Sequence, residues 1–146
     1  MASVWGVTPK ASIEAECLRR SRSAVVHDCI AVLNSQNVDP DFLRVLGGPP
    51  AQTVLEGGEG GIDGYWPRVW AARGLLHVWD DSATAAIIAA TTHERWRVRE
   101  MSAKVIAAHK VRLAIDDIVR LLDDENARVR AAAQRAFHQI AESRPF

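Results

Sequence analysis

Residues 123–133 read DDENARVRAAA. Four polar residues, Asp123, Asp124, Glu125 and Asn126, turn the chain. A helix then opens on Arg128-Val129-Arg130, with Val129, Ala132, Ala133, Ala136 and Ile140 at three-and-four spacing along one stripe. An Asp or Asn in the turn caps that helix, and the acids sit at its positive end. On the other side of the turn Ile115, Ile118, Val119 and Leu122 form a first apolar stripe. The segment is therefore a helix, a tight polar turn and a second helix.

The same unit recurs when the chain is shifted by 31 residues. Ile87-Ile88 falls on Ile118-Val119, Arg97-Val98-Arg99 on Arg128-Val129-Arg130, Lys104 on Arg135 and Ile106 on Phe137. A backward shift of 29 lays Arg68-Val69 on Arg97-Val98. Residues 63–79, 82–110 and 113–141 read as three versions of one unit. The middle copy carries its second stripe on Val98, Met101, Ser102 and Val105. Alanine and serine in these stripes let two helices approach closely. One pair cannot hide its apolar face alone, so the copies must stack.

A helix pair, an acid-rich turn and then V-R-x-x-A-A/S resembles HEAT repeats. Residues 123–133 carry the best match. Glu94-Arg95-Trp96-Arg97-Val98-Arg99 carries a second, with His93-Glu94 where the family prefers an Asp pair. Residues 65–79 carry a partial third, with Trp70 in place of the Arg after the valine. The resemblance implies an all-α fold: a short right-handed α-α superhelix of about three helix pairs in a single domain, 1–146. Residues 1–63 would supply an N-terminal helical cap and a connector, and 64–146 the repeats. It also implies an interaction scaffold rather than a particular chemistry.

The first 63 residues are helical in pattern. Thr8-Pro9 and Asp39-Pro40-Asp41 are cap-then-proline starts. Apolar spacing from Ile13 to Leu33 predicts one or two helices across 9–35, and Phe42, Leu43, Val45 and Leu46 a short one ended by Gly47-Gly48-Pro49-Pro50. A last short turn is expected through 51–56. Five glycines at 57, 58, 60, 61 and 64 cannot hold a helix and lack the strand, helix and Lys-Ser/Thr pair of a phosphate loop. They read as a flexible connector. No alternating run marks a strand.

Composition narrows the function. Eighteen Lys or Arg balance eighteen Asp or Glu, which removes the simplest argument for a nucleic-acid or anionic-membrane partner. No apolar stretch reaches bilayer length, and the N-terminus lacks a signal pattern. Cys17 and Cys29 fit neither a metal motif nor a disulfide framework, as expected of reduced thiols in a cytoplasmic protein. No catalytic motif, cofactor or metal is expected: the five histidines do not recur at 31, and the adjacent carboxylates point apart.

Binding candidates gather on the second helices. Arg97, Lys104, Arg128 and Arg135 share a repeated face, while Arg99 and Arg130 are placed to pair with neighbouring acids. Trp66, Trp70 and Trp79 read as one helix, with Trp66, Val69 and Leu76 on a common stripe. Trp66 and Trp96 serve as apolar anchors, and Arg68 precedes Val69 as Arg97 precedes Val98. The expected function is non-catalytic binding of another protein through Trp66, Arg68, Trp96, Arg97, Lys104, Arg128 and Arg135. A nucleic-acid alternative rests on resemblance to HEAT-like alkylpurine DNA glycosylases, which carry a carboxylate one turn from a tryptophan, as Glu100 is from Trp96. Glu stands where those enzymes use Asp, and the repeats are half as many. The terminal repeat, followed by no polar capping helix, is expected either to turn a polar outer face to water or to self-associate as a homodimer.

Overall fold

The computed structural model describes residues 8–142. Nine α-helices follow one another among the described residues: α1 Pro9–Arg19, α2 Arg22–Leu33, α3 Pro40–Gly47, α4 Pro50–Leu55, α5 Trp66–Gly74, α6 Thr84–Ala90, α7 Trp96–His109, α8 Ile115–Leu121 and α9 Ala127–Glu142. No described residue is in a strand. The fold is all-α. Backbone contacts divide it into two compact units, 1–83 and 84–146.

In the first unit both cap-and-proline starts act as helix starts. Thr8 Oγ1 accepts from the Ala11 N–H at 3.1 Å, and Asp39 Oδ1 from the Asp41 N–H at 2.8 Å. Helix α2 packs on α5, and α3 packs on α1, α4 and α5. Ile13, Val25, Val26, Cys29, Leu46 and Trp70 are buried there. Ser12 Oγ donates to Val45 O at 2.9 Å, so the one small polar group on the buried face of α1 is satisfied. Glu16, also buried, takes hydrogen bonds from Arg19 and Arg20. The Arg19 bond leads the effects that hold its carboxyl below the usual range, against burial. Arg20 continues to Asp28 at 2.7 Å and lies over the Phe42 ring.

Two expectations need correction here. Helix α5 ends at Gly74, so Trp79 is not in the helix that holds Trp66 and Trp70. The Leu75, Leu76 and His77 N–H groups bond three residues back, and this tighter turn carries the chain out of the helix. Val69 is buried, but Leu76 lies beyond the helix end and is not part of a continuous stripe. The glycine-rich stretch is a succession of 3₁₀ turns from Gly58 to Asp63, with left-handed backbone at Gly57, Glu59, Gly60 and Gly61. It packs on α4 and lies inside the first unit.

Cys29 is fully buried, and burial pushes its thiol far above the ordinary value, whereas Cys17 is half-buried. Thiolate is the reactive form. One thiol should therefore react with an aromatic disulfide reagent in native protein, and the second only on unfolding. Two fast equivalents would mean that Cys29 does not belong to this core.

The second unit is two helix pairs, α6/α7 and α8/α9. Its most extensive helix contact is between α7 and α9, followed by α8 with α9 and α6 with α7. Val98, Ala103, Val105 and Ile106 of α7 and Val129, Ala132, Ala133 and Ala136 of α9 are buried. The small residues of the α9 stripe allow this close approach. Ser102, fully buried, donates to Val98 O at 2.8 Å within its own helix. The stripe read on the first helix of this pair is also corrected. Ile118 and Leu121, three apart on the seven-residue α8, are its buried line, and Val119 is exposed.

Candidate functional site

Helices α7 and α9 start side by side. Each start is set by a side chain in the preceding turn. Asn126 Oδ1 accepts from the Arg128 and Val129 N–H groups, at 2.9 and 3.3 Å. Asp124 Oδ1 accepts from the Asn126 N–H, and one repeat earlier His93 Nδ1 accepts from the Arg95 N–H at 3.0 Å. Histidine thus does in the first turn what the aspartate does in the second.

Two ion pairs fasten the starts together. Arg99 Nε and Nη2 reach both Asp124 oxygens at 2.8 and 3.1 Å, while Arg99 Nη1 donates to His93 O and Glu94 O. Both side chains are about nine-tenths buried. Burial alone would push the Asp124 carboxyl up, but the Arg99 bond, the Asn126 N–H and the nearby guanidinium charges hold it below the ordinary value. Arg99 is therefore the inter-repeat ladder member expected of it. Arg130 repeats its backbone bond, donating from Nη1 to Asp124 O at 2.7 Å.

The second pair is Arg128 Nε to Glu100 Oε2 at 3.1 Å, with Lys104 Nζ 3.7 Å from the same oxygen. Glu100 is buried, while Arg128 is largely exposed. Trp96 sits beside them. The Arg97 guanidinium carbon is 4.4 Å from the ring centroid and that of Arg128 is 5.2 Å away. Each such contact is worth about 0.5–1 kcal/mol at an exposed site. Trp96, Arg97, Glu100, Lys104 and Arg128 thus form one cluster, and exposed Arg135 continues it two turns along α9. The cluster holds more cationic than anionic groups around an amphipathic ring.

The sequence reads Arg97, Lys104, Arg128 and Arg135 as a face left for a partner and gives only Arg99 and Arg130 to neighbouring acids. Glu100, on the same face as Arg97 and Lys104, has no bridging role in that reading, whereas the fold sets it against Arg128 and Lys104. The signal was present: the 31-residue shift lays Arg128 on Arg97, and Glu100 lies one turn after Arg97 on the same helix face.

Trp66 and Arg68 belong to the first unit. Trp66 stacks on Tyr65 at 5.0 Å and on Trp70 at 6.5 Å between ring centroids. The Arg68 guanidinium donates to Asp63 O, Gly64 O and Ser35 Oγ, and so braces the glycine-rich turns.

Among the described residues no group of three or more His, Cys, Asp or Glu side chains is gathered as a metal site would need. No described helix is long and apolar enough to cross a membrane.

The family model for HEAT repeats matches residues 65–138, just over half of the 146. The chain belongs to the HEAT-repeat family. No curated protein and no solved structure matches it. HEAT repeats generally mediate protein–protein interaction and are typically not enzymes. In this HEAT-repeat chain the matched segment takes in α5 to α8 and α9 as far as His138, and with them the whole Trp96 cluster.

Proposed function

We propose that this protein is a non-catalytic interaction module that binds a protein partner through the second helices, with Trp96 as anchor and Arg97, Lys104, Arg128 and Arg135 as charged rim. Trp66 and Arg68 form a second candidate patch on the first unit. The observation that carries the reading is the Trp96 ring with the guanidinium groups of both Arg97 and Arg128 over it, at 4.4 and 5.2 Å from its centroid. That arrangement keeps an aromatic side chain rigid beside cations at the surface, which is the make-up of an interface hot spot. The partner it fits is a protein segment that is acidic and carries an apolar side chain.

The test is affinity capture with the wild-type chain and with one carrying Arg97→Ala, Lys104→Ala, Arg128→Ala and Arg135→Ala. Glu100→Gln is added so that no buried carboxylate is left uncompensated. Proteins captured by the wild type should fall at least about tenfold, equivalent to about 1.4 kcal/mol, with helical circular dichroism retained. An unchanged set of captured proteins would discard this face.

The nucleic-acid reading is favoured by one observation, the Trp96–Glu100 relation among arginines. Against it, both guanidinium groups already lie against the indole, and Glu100 is bonded to Arg128 and Lys104. A base would have to displace an arginine to stack there. Duplex DNA titrated at low salt tests it, since phosphate binding would be measurable and steeply salt-dependent.

A further inference from the structure

The Trp96 face fits an acidic segment with an exposed apolar side chain, and this chain carries one. Five large apolar residues stand out from the described surface: Leu18, Ile62, Leu113, Val119 and Phe137. Four of them have an arginine within two residues, Arg19, Arg112, Arg120 and Arg135. Ile62 alone among them has none. It lies in the stretch 56–63, EGGEGGID, which holds three acids and no Lys or Arg.

This stretch is held in a fixed shape. Its 3₁₀ turns pack on α4, and Arg68 ties the Asp63 and Gly64 carbonyls to Ser35 Oγ. A preformed turn loses little freedom on binding. Arg68 takes the backbone of Asp63, and among the described residues no ion pair involves the carboxylates of Glu56, Glu59 or Asp63. Glu59 stands at φ 55° between two pairs of glycines, in left-handed backbone that glycine adopts at less cost. A carboxylate is thus kept at a position whose backbone favours having no side chain.

The face on α7 and α9 has the opposite make-up. Trp96 is part-exposed and offers its ring. Lys104 and Arg128 share the single carboxylate of Glu100, and exposed Arg135 has no ion pair among the described residues. The contrast extends to the whole units. Residues 1–83 hold seven Lys or Arg and ten Asp or Glu, and residues 84–146 hold eleven and eight. Opposite potentials of this kind steer association between copies and fix its register.

We infer, on the reading of the Trp96 face as an interface, that its occupant is residues 56–63 of a second copy of this chain, with Ile62 against the Trp96 ring and Glu56, Glu59 and Asp63 toward Lys104, Arg128 and Arg135. The contact joins two different surfaces and is heterologous, so each copy offers both a turn and a face.

Sedimentation equilibrium on the full chain tests this. The wild-type mass should rise above that of one chain with concentration, and association should weaken at least tenfold as salt rises from about 0.05 M to about 0.5 M. Two variants divide the contact. The turn variant carries Glu59→Gly and Ile62→Lys; glycine suits the left-handed position and Ile62 is half-exposed, so the fold is kept. The face variant carries Arg128→Glu, Arg135→Glu and Glu100→Gln. Each alone should stay monomeric where the wild type associates, with unchanged helical circular dichroism. Mixed in equal amounts they should form a one-to-one dimer and nothing larger, because the intact face of the first meets the intact turn of the second. A wild type that stays monomeric up to roughly 100 µM overturns the inference. So does a turn variant that associates like the wild type, or a mixture that stays monomeric. A monomeric wild type whose captured proteins are still lost on the four alanine substitutions overturns the second copy as occupant and keeps the face. Capture and self-association both unchanged by those substitutions discard the face itself.

Discussion

Asp124→Ala should destabilise the second unit by about 3–5 kcal/mol, the range for removing one partner of a buried ion pair. Arg99 is nine-tenths buried and gives Nε and Nη2 to this carboxylate alone at hydrogen-bond distance, with Glu125 3.9 Å away and exposed. Its Nη1 would keep the His93 and Glu94 carbonyls. Two desolvated N–H groups and a positive charge would be left without their acceptor. The Asn126 N–H bond that shapes the start of α9 would go too. Asp124→Asn retains an acceptor oxygen and should cost less. Replacing both partners, with Arg99→Met and Asp124→Leu, should cost less than Asp124→Ala alone, because no charge is then stranded.

The same pair has a pH signature. The folded Asp124 carboxyl lies below its ordinary value of 3.8. Below that value the unfolded chain takes up the proton first. The contribution of Asp124 is therefore complete above the ordinary carboxylate range and is lost as pH falls through the folded value. Glu16 in the first unit is shifted the same way, so the measurement is a difference. Urea unfolding of wild type and Asp124→Asn, followed from neutral pH down to about 3, should show the two stabilities converging. Parallel curves, or a loss in Asp124→Ala below about 1 kcal/mol, would show that the rung does not hold α7 to α9.

The repeat was legible because it is written in residue types that have little freedom. Val98 and Val129 must be buried, Arg99 and Arg130 must find acceptors, and acids in a turn are poor neighbours for anything but a helix start or a cation. Those demands recur at 31 and lead from the sequence to the α7/α9 contact and the Arg99–Asp124 rung. What the sequence did not show depends on distance along the chain. Arg128 reaches both Trp96 and Glu100 from another helix, and neither relation has a local spacing. The end of α5 was missed for a related reason. Tryptophan pattern continues through Trp79, but the backbone leaves the helix after Gly74, where Leu46 and Cys29 press within 3.1 and 3.3 Å of a would-be Cβ. Tertiary crowding there overrides the apolar spacing.

Gly47 is the same effect at its strongest, and Gly47→Ala should destabilise the first unit by about 1–3 kcal/mol, as overpacking of a filled core does. In sequence Gly47 reads as the first residue of a helix stop. In the fold it is the last residue of α3, buried, and a Cβ there would lie 2.5 Å from Trp70 Cε3 and 2.6 Å from Cζ3. Those atoms belong to a rigid ring that is itself 5% exposed and has little room to withdraw. The gain in helix propensity from Gly to Ala, at most about 1 kcal/mol and smaller at a helix end, opposes the clash without matching it. Trp70→Leu removes the ring and should cost several kcal/mol alone, through the cavity it leaves. In the double variant the methyl group and the cavity share one site, so the combined loss should be smaller than the sum of the two by about 1 kcal/mol or more. Thermal unfolding of the four chains gives that coupling. Additive losses would mean that the ring and the glycine do not meet, and that α3 is held against α5 by other contacts.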